Sequence, residues 1–255
     1  MYGFDGRVRY SETDERCRLS VTALINYFQD ASTFHGEDVG TGVRYFEGKN
    51  RAWFLAAWEI LIHRLPKLGE EIQVRTWPYQ FRGIYGFRNF RLQSPSGEVF
   101  AEADSLWFLF DTAENRPVKA DPEDISGYQK DAGERLPMPP LNRKIAVPEG
   151  GVTGTAIAIG KHHLDTNHHV NNAQYVEIAR EAAEALGEQG AMELFSDPAR
   201  IDVQYKKAVG LGEALTPVIH LTEAGAGSDP VCLVDLKDRA GESCAVVRVE
   251  GRTAQ

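Results

Sequence analysis

The chain has 255 residues, 42% hydrophobic, 25% charged and 10% aromatic, with a formal net charge of −9. That is the composition of a folded globular protein with one large core or two smaller ones. Its acidity argues against nucleic-acid binding, and no basic-then-apolar leader or apolar run near ~18 residues points to secretion or a membrane span. Cys17, Cys232 and Cys244 form neither a CxxC motif nor an even-numbered framework, so a reducing, cytoplasmic setting is expected.

In chain order, "GRVRYSETD" (residues 6–14) predicts a short strand. "SVTALINYFQDASTFH" (20–35) then places Leu24, Tyr27, Phe28, Ala31 and Phe34 at helical spacing, with Ser20 as N-cap and Gly36 and Gly40 marking the exit. Four runs rich in aromatic and β-branched residues follow: "WFLAAWEILIHRL", "EEIQVRTWPYQ", "IYGFRNFRLQSP" and "EVFAEADSLWFLFD". "SPSGE" reads as the turn between the last two.

The second half repeats the order. "GVTGTAIAIG" predicts a strand and "NNAQYVEIAREAAEALG" a helix. The strands "ARIDVQYKKAV", "EALTPVIHLTE", "PVCLVDLKD" and "ESCAVVRVEGR" follow. "LGEE" at 68–71 resembles "LGEA" at 211–214, "SGEVFAEADSL" at 96–106 resembles "AGESCAVVRVE" at 240–250, and Tyr27 and Tyr175 sit at similar places on their helices. A duplicated strand–helix–four-strand unit is expected. The expected division is a first domain over 1–125, a polar, proline-dotted linker over 126–150, and a second domain over 151–255. In the second helix Tyr175, Val176, Ile178, Ala179, Ala182, Ala183 and Leu186 cover most of a cylinder, so a curved sheet wrapped round each helix is expected.

This plan is similar to the α+β tandem (double) hot-dog fold, and the motifs resemble the bacterial acyl-acyl-carrier-protein (acyl-ACP) thioesterases. "LDTNHHVNNAQYVE" (164–177) resembles that family's D-x-N-x-H-V-N-N-x-x-Y segment. "LINYFQDASTFH", "AWFLAAWEILIHRLPKLGEEIQVRTWP", "FRNFRL" and "NRPVK" resemble its first half, and "YKKAVGLGE" a region near its end. The resemblance implies a hydrolase of fatty acid biosynthesis that cleaves the thioester of fatty acyl-ACP, with Asp165, Asn167 and His169 as catalytic residues and no cofactor. Plant members carry a glutamate–cysteine pair after a tyrosine and two basic residues. Here Ala208 and Val209 stand there, which removes any cysteine nucleophile at that place.

Thioester hydrolysis needs an activated water or nucleophile, a group that polarises the carbonyl, and a slot for the acyl chain. Asp165, Asn167 and His169 alternate, so in an extended chain they would share one side, with His168 facing away. Asp165 is expected to act as general base or nucleophile. Asn171 and Asn172 fit either helix capping or contact with substrate, and the helix start they mark offers unpaired N–H groups. Tyr175 is a further candidate for substrate binding, and Phe28 and Trp58 for lining the acyl slot, although each aromatic also fits an ordinary core. No His or Cys pair has zinc-ligand spacing, so no metal is expected. Glu12 and Asp14, in the first-half loop that lacks the N-x-H part, read as structural, and one active site per chain is expected.

Two rivals keep the fold. An enoyl-thioester hydratase would carry its His five residues after the Asp, often beyond a proline; here the spacing is four and no proline intervenes. A non-catalytic acyl-thioester sensor would be expected to bring a DNA-binding segment, and none is visible. The carrier is either ACP or coenzyme A. ACP is acidic, and Lys206 and Lys207, with Arg143, Lys144 and Lys161 as further candidates, are the expected basic face for it. A monomer or homodimer without membrane or nucleic-acid partners is expected.

Overall fold

The computed structural model describes residues 1–187, 189–222 and 229–252. They fall into two compact units, residues 1–141 and residues from 142 onward. Among the described residues no helix is long and apolar enough to cross a membrane.

The first unit runs β1 (Tyr2–Arg7), α1 (Val21–Asp38), α2 (Val43–Glu47), β2 (Arg51–Ile62), β3 (Glu71–Arg82), β4 (Tyr85–Gln93), β5 (Val99–Asp111), β6 (Arg116–Pro117) and α3 (Pro122–Ile125). Its strands pair antiparallel in the order β1-β3-β4-β5-β2, with β6 on β5. Ser20 caps α1 by accepting the Ala23 N–H at 3.2 Å. Leu24, Tyr27, Phe28 and Ala31 are buried as their spacing predicts, while Phe34 is 45% exposed and rests edge-on against Phe4. The helix does not leave at Gly36. It continues to Asp38, because glycine there answers a close approach rather than a turn: a Cβ at Gly36 would lie 3.1 Å from the Tyr128 hydroxyl and 3.3 Å from the Thr41 carbonyl. Gly40, at φ 79°, makes the turn that follows.

Phe28 from α1, Trp58 from β2 and Phe90 from β4 meet with ring centroids 4.9–6.1 Å apart, all fully buried. This is the centre of the first core.

Residues 133–139 belong to the first unit and cover the outer face of its sheet. Trp77 Nε1 donates to the Glu134 carbonyl at 2.8 Å, and Leu136 and Met138 pack on the Trp77 ring. Beneath them runs a polar ladder. The Leu136 N–H donates to Asn89 Oδ1, while Arg135 and the Tyr79 hydroxyl donate to the buried carboxylate of Asp104. Burial pushes Asp104 above the usual carboxylate range, against the pull of Tyr79 and Arg135.

The second unit runs β7 (Val152–Thr153), β8 (Ile157–Ala158), α4 (Asn172–Ala185), α5 (Gln189–Ser196), β9 (Arg200–Tyr205), β10 (Ala214–Thr222), β11 (Val231–Lys237) and β12 (Ser243–Glu250). The order is β7-β10-β11-β12-β9, antiparallel throughout, with β8 also on β10. Strand for strand this is the order of the first unit. Helix α4 lies against β10, β11 and β12 and buries Ala173, Tyr175, Val176, Ile178, Ala179, Ala182 and Ala183. Ile145 and Val147 cover the outer face at Leu233 and Val246, and the Ile145 N–H donates to Gln204 Oε1 at 3.1 Å. Each unit is a hot-dog, a curved antiparallel sheet wrapped round one long helix, and the chain carries two in tandem.

The strand predicted over 6–14 lies instead at Tyr2–Arg7, and residues 10–12 form a 3₁₀ turn. The predicted strand over 151–160 is two dipeptide strands separated by residues 154–156, and α5 was not expected. The helices also align in another register than residue identity implied. The matched N-caps, Ser20 and Asn171, are offset by 171 − 20 = 151, so Tyr175 corresponds to Leu24 (175 − 151) and Tyr27 to Ile178 (27 + 151). Between the strand starts Glu71 and Ala214 the offset is only 214 − 71 = 143. The repeat is conserved in its hydrogen bonds, with unequal connections.

Removing the Phe28 ring should leave a cavity among Trp58 and Phe90. Phe28→Ala is expected to cost about 3–5 kcal/mol of stability, measured as a drop in the urea midpoint with an unchanged slope.

Candidate active site

The motif does not run as an extended strand, and this corrects the alternation reading. Asp165 starts a tight loop. Its N–H donates to the His169 carbonyl at 2.8 Å, and its carbonyl accepts the His168 N–H at 3.1 Å. Its Oδ1 accepts the N–H of Asn167 at 2.8 Å and of His169 at 3.3 Å. A carboxylate one carbon from the backbone reaches amides two and four residues on, and that turn competes with extension. His168 consequently sits at φ 61°, in the left-handed region. Leu164 pairs with Val170, and His169 with Gly210, closing the loop on itself and on the stretch after β9. Asp165 and His169 are half-buried, whereas Asn167 and His168 are exposed. Among the described residues, Asp165 Oδ2 has no hydrogen-bond partner.

Helix α4 follows at once. Asn171 is its N-cap, accepting the Ala173 N–H at 2.9 Å, and the Asn172 carbonyl accepts the Tyr205 hydroxyl at 2.9 Å. Tyr175 is buried beneath the loop, edge-on to Tyr205 at 5.6 Å, with its hydroxyl 3.5 Å from the Lys207 carbonyl. Burial raises the Tyr175 phenol well above its usual value, with Cys244 and Asp165 adding to the shift, so it stays protonated as a donor. Tyr205 is a site neighbour that sequence reasoning missed. Its signal was its place in "QYKK", one residue before the basic pair.

The remaining candidates lie as follows. Lys206 is exposed and donates to Ser243 Oγ at 3.0 Å. Lys207 is clamped by Asp238 at 2.6 Å and Glu242 at 2.7 Å, which offset its charge locally. Ala208 is exposed, and Val209 is buried with its carbonyl taken by the Val170 N–H. Phe28 and Trp58 belong to the core of the other unit. Cys244 is buried, and burial pushes its thiol up to about 11, so almost none is thiolate at neutral pH. Cys232 is buried and Cys17 exposed, neither within the motif. Among the described residues the acids close enough to share a cation are Asp121, Glu123 and Asp124, remote in sequence from the motif and paired with Lys49 and Arg51.

The first unit builds the same loop. The Asp14 N–H donates to the Arg18 carbonyl, Asp14 Oδ1 accepts the N–H groups of Arg16 and Arg18, and Cys17 takes φ 56° where His168 takes 61°. The difference is the second oxygen. Arg18, at the place of His169, binds Asp14 Oδ2 through Nε at 3.2 Å and Nη2 at 3.1 Å. Glu12 is likewise spent, accepting the Tyr27 hydroxyl at 2.7 Å.

Residues 3–128 match the acyl-ACP thioesterase N-terminal domain and residues 155–250 the C-terminal domain of the same family. The chain belongs to the acyl-ACP thioesterase family. Among curated relatives, the palmitoyl-acyl carrier protein thioesterase of Gossypium hirsutum is 27% identical over 178 residues, covering 64% of this chain and 42% of that protein. The chain spans about half the length of the first curated relatives it matches. Two solved structures share its fold: the putative oleoyl thioesterase of Lactobacillus plantarum (TM-score 0.84, 22% identity, 100% of this chain and 96% of that one) and the 12:0-ACP thioesterase of Umbellularia californica (TM-score 0.85, 18% identity, 98% and 93%). The stretch that resembles the family's motif lies within the matched C-terminal domain, on the loop of the second unit.

Because Asn171 satisfies an otherwise unpaired N–H of α4, Asn171→Ala should lower stability by about 0.5–2 kcal/mol. Calorimetric melting of the variant against the wild type checks this.

Proposed function

We propose that the chain hydrolyses the thioester of fatty acyl-ACP, releasing the fatty acid and holo-ACP. The observation that carries the reading is the Asp165 carboxylate. Two backbone amides hold one of its oxygens, its other oxygen has no partner among the described residues, and it stands in the family's motif. In the first unit the equivalent oxygen is occupied by Arg18, which supports one active site per chain.

In this reading Asp165 Oδ2 takes a proton from water as the water oxygen attacks the thioester carbonyl carbon. The carbonyl oxygen becomes an oxyanion, held by Asn167 and His169. Collapse reforms the C=O bond and breaks the C–S bond, and the carrier sulfur leaves with the proton taken from water. The products are a carboxylic acid and a thiol. Acylation of Asp165 itself is the alternative route, in which water then hydrolyses the mixed anhydride. No cysteine takes part, in keeping with the absence of one from the motif and the raised Cys244 thiol.

The acyl chain is assigned to the first unit, where Phe28 and Trp58, now packed together with Phe90, would line the slot once that cluster parts; Asn172 and Tyr175 are assigned to substrate binding beside the loop of the second. ACP is the proposed carrier. Support for the Lys206–Lys207 face is weaker at Lys207, whose charge Asp238 and Glu242 offset, than at the exposed Lys206. A cytoplasmic enzyme acting as monomer or homodimer completes the proposal.

Asp165→Ala and His169→Ala should each lower kcat on the order of 10²–10⁴-fold, while the triple Cys→Ser variant keeps most activity. Thiol release from a panel of acyl-ACPs and acyl-CoAs measures this; an active Asp165→Ala variant or a cysteine-dependent enzyme overturns the mechanism. With the same panel, replacing Trp58 by a smaller apolar residue should shift the preferred acyl length gradually, since a methylene discriminates by only about 1–3 kcal/mol. An unchanged length profile places the slot elsewhere.

A further inference from the structure

His163 closes the 3₁₀ turn Lys161–His163 just before the motif loop and is 8% exposed. Its Nδ1 accepts the Gly160 N–H at 3.1 Å, and its carbonyl accepts the N–H of the helix cap Asn171 at 2.8 Å. One residue thus ties the chain before the loop to the helix after it, with the Asp165 turn strung between. The first unit builds the same joint with a different side chain. There Glu12, at 163 − 151 = 12, accepts the Arg9 N–H through Oε2 at 2.9 Å, and its carbonyl accepts the Ser20 N–H at 2.9 Å.

The exchange of carboxylate for imidazole matters chemically. A carboxylate accepts this hydrogen bond throughout the neutral range. An imidazole accepts at Nδ1 only while neutral, with its proton on Nε2, and protonation sets one donor against another. We propose that His163 is a positioning residue whose neutral form holds the Asp165 loop in its closed shape, so that the hydrolysis proposed above is lost in acid as this cap breaks. The inference rests on that functional reading.

The groups acting on His163 are the His162 ring on its own turn, 3.9 Å away centre to centre, and Glu181 on α4. Burial, the largest influence, and His162 both oppose protonation, while Glu181 favours it, and the balance lies below the ordinary histidine value. The folded protein therefore binds this proton less readily than the unfolded chain. The stability it contributes is complete above the unfolded value and is lost as pH falls through the lowered folded one.

The test uses the full chain and two variants. His163→Gln keeps an acceptor that does not titrate, and His163→Leu keeps none. Acyl-ACP thiol release and melting temperature are followed from about pH 7.5 to about pH 4.5, and imidazole ¹⁵N shifts report the tautomer. The wild type should carry its proton on Nε2 at neutral pH, and its melting temperature should fall through the acid range together with kcat. His163→Gln should restore near-wild-type kcat at neutral pH and move the acid limb lower. His163→Leu should lose roughly tenfold to a hundredfold at every pH, as for a catalytic group displaced by about an ångström. The inference is overturned if His163→Gln keeps the wild-type acid limb in both readouts, if His163→Leu matches the wild type, or if Nδ1 carries the proton. A wild type without thiol release at any pH overturns the functional reading instead, and the melting curves and ¹⁵N shifts then decide the cap on their own.

Discussion

An aspartate carboxylate that accepts the N–H groups two and four residues ahead of it shapes the loop before each long helix. With Asp14 or Asp165 in place, the chain turns, one residue enters the left-handed region, and the side chain three residues further on arrives as a helix N-cap. The cap starts a helix whose apolar flank the sheet wraps. Remove the carboxylate and the amides of Asn167 and His169 lose their acceptor in a half-buried loop, a cost that falls on both loop and helix.

The same device serves two ends because a carboxylate has two oxygens. One oxygen suffices for the turn. In the first unit the other is consumed by the planar fork of Arg18, a charge-assisted pair. In the second unit histidine replaces the arginine and the other oxygen has no partner among the described residues. Two matching backbone frames carry different side chains: Glu12, Arg16 and Arg18 in the first stand where His163, Asn167 and His169 stand in the second. Around them each sheet protects its outer face with an irregular segment, residues 133–139 in one unit and 145–147 in the other, so that strands with buried polar groups such as Asn89 and Asp104 are satisfied rather than exposed.

Much of this was legible in the residues. The order of the long strands and of the two long helices, the N-cap Ser20, the buried set Leu24, Tyr27, Phe28 and Ala31, and the repeat itself follow from periodicity and capping chemistry, which act over a few residues; Asn171 and Asn172 fitted a cap or a substrate contact, and the structure makes Asn171 the cap. The motif from Asp165 to Tyr175 was legible as a constellation, although its shape was not: alternation of polar residues implied an extended run, and the side chain of Asp165 bent it. Gly36 likewise read as an exit because a glycine's local meaning is a turn, whereas its reason here is the approach of Tyr128 from a segment far along the chain.

What sequence alone determined is therefore what depends on neighbours: element type, caps, the apolar faces and the identity of the motif. What only tertiary structure decided depends on partners distant in the chain. It aligned Tyr175 with Leu24 rather than Tyr27, tied Lys207 to Asp238 and Glu242, and sealed Cys244 in an environment that disfavours its thiolate. Hydrogen bonds and burial between residues tens of positions apart are set by the register of strands and the lengths of loops, and no local pattern encodes either.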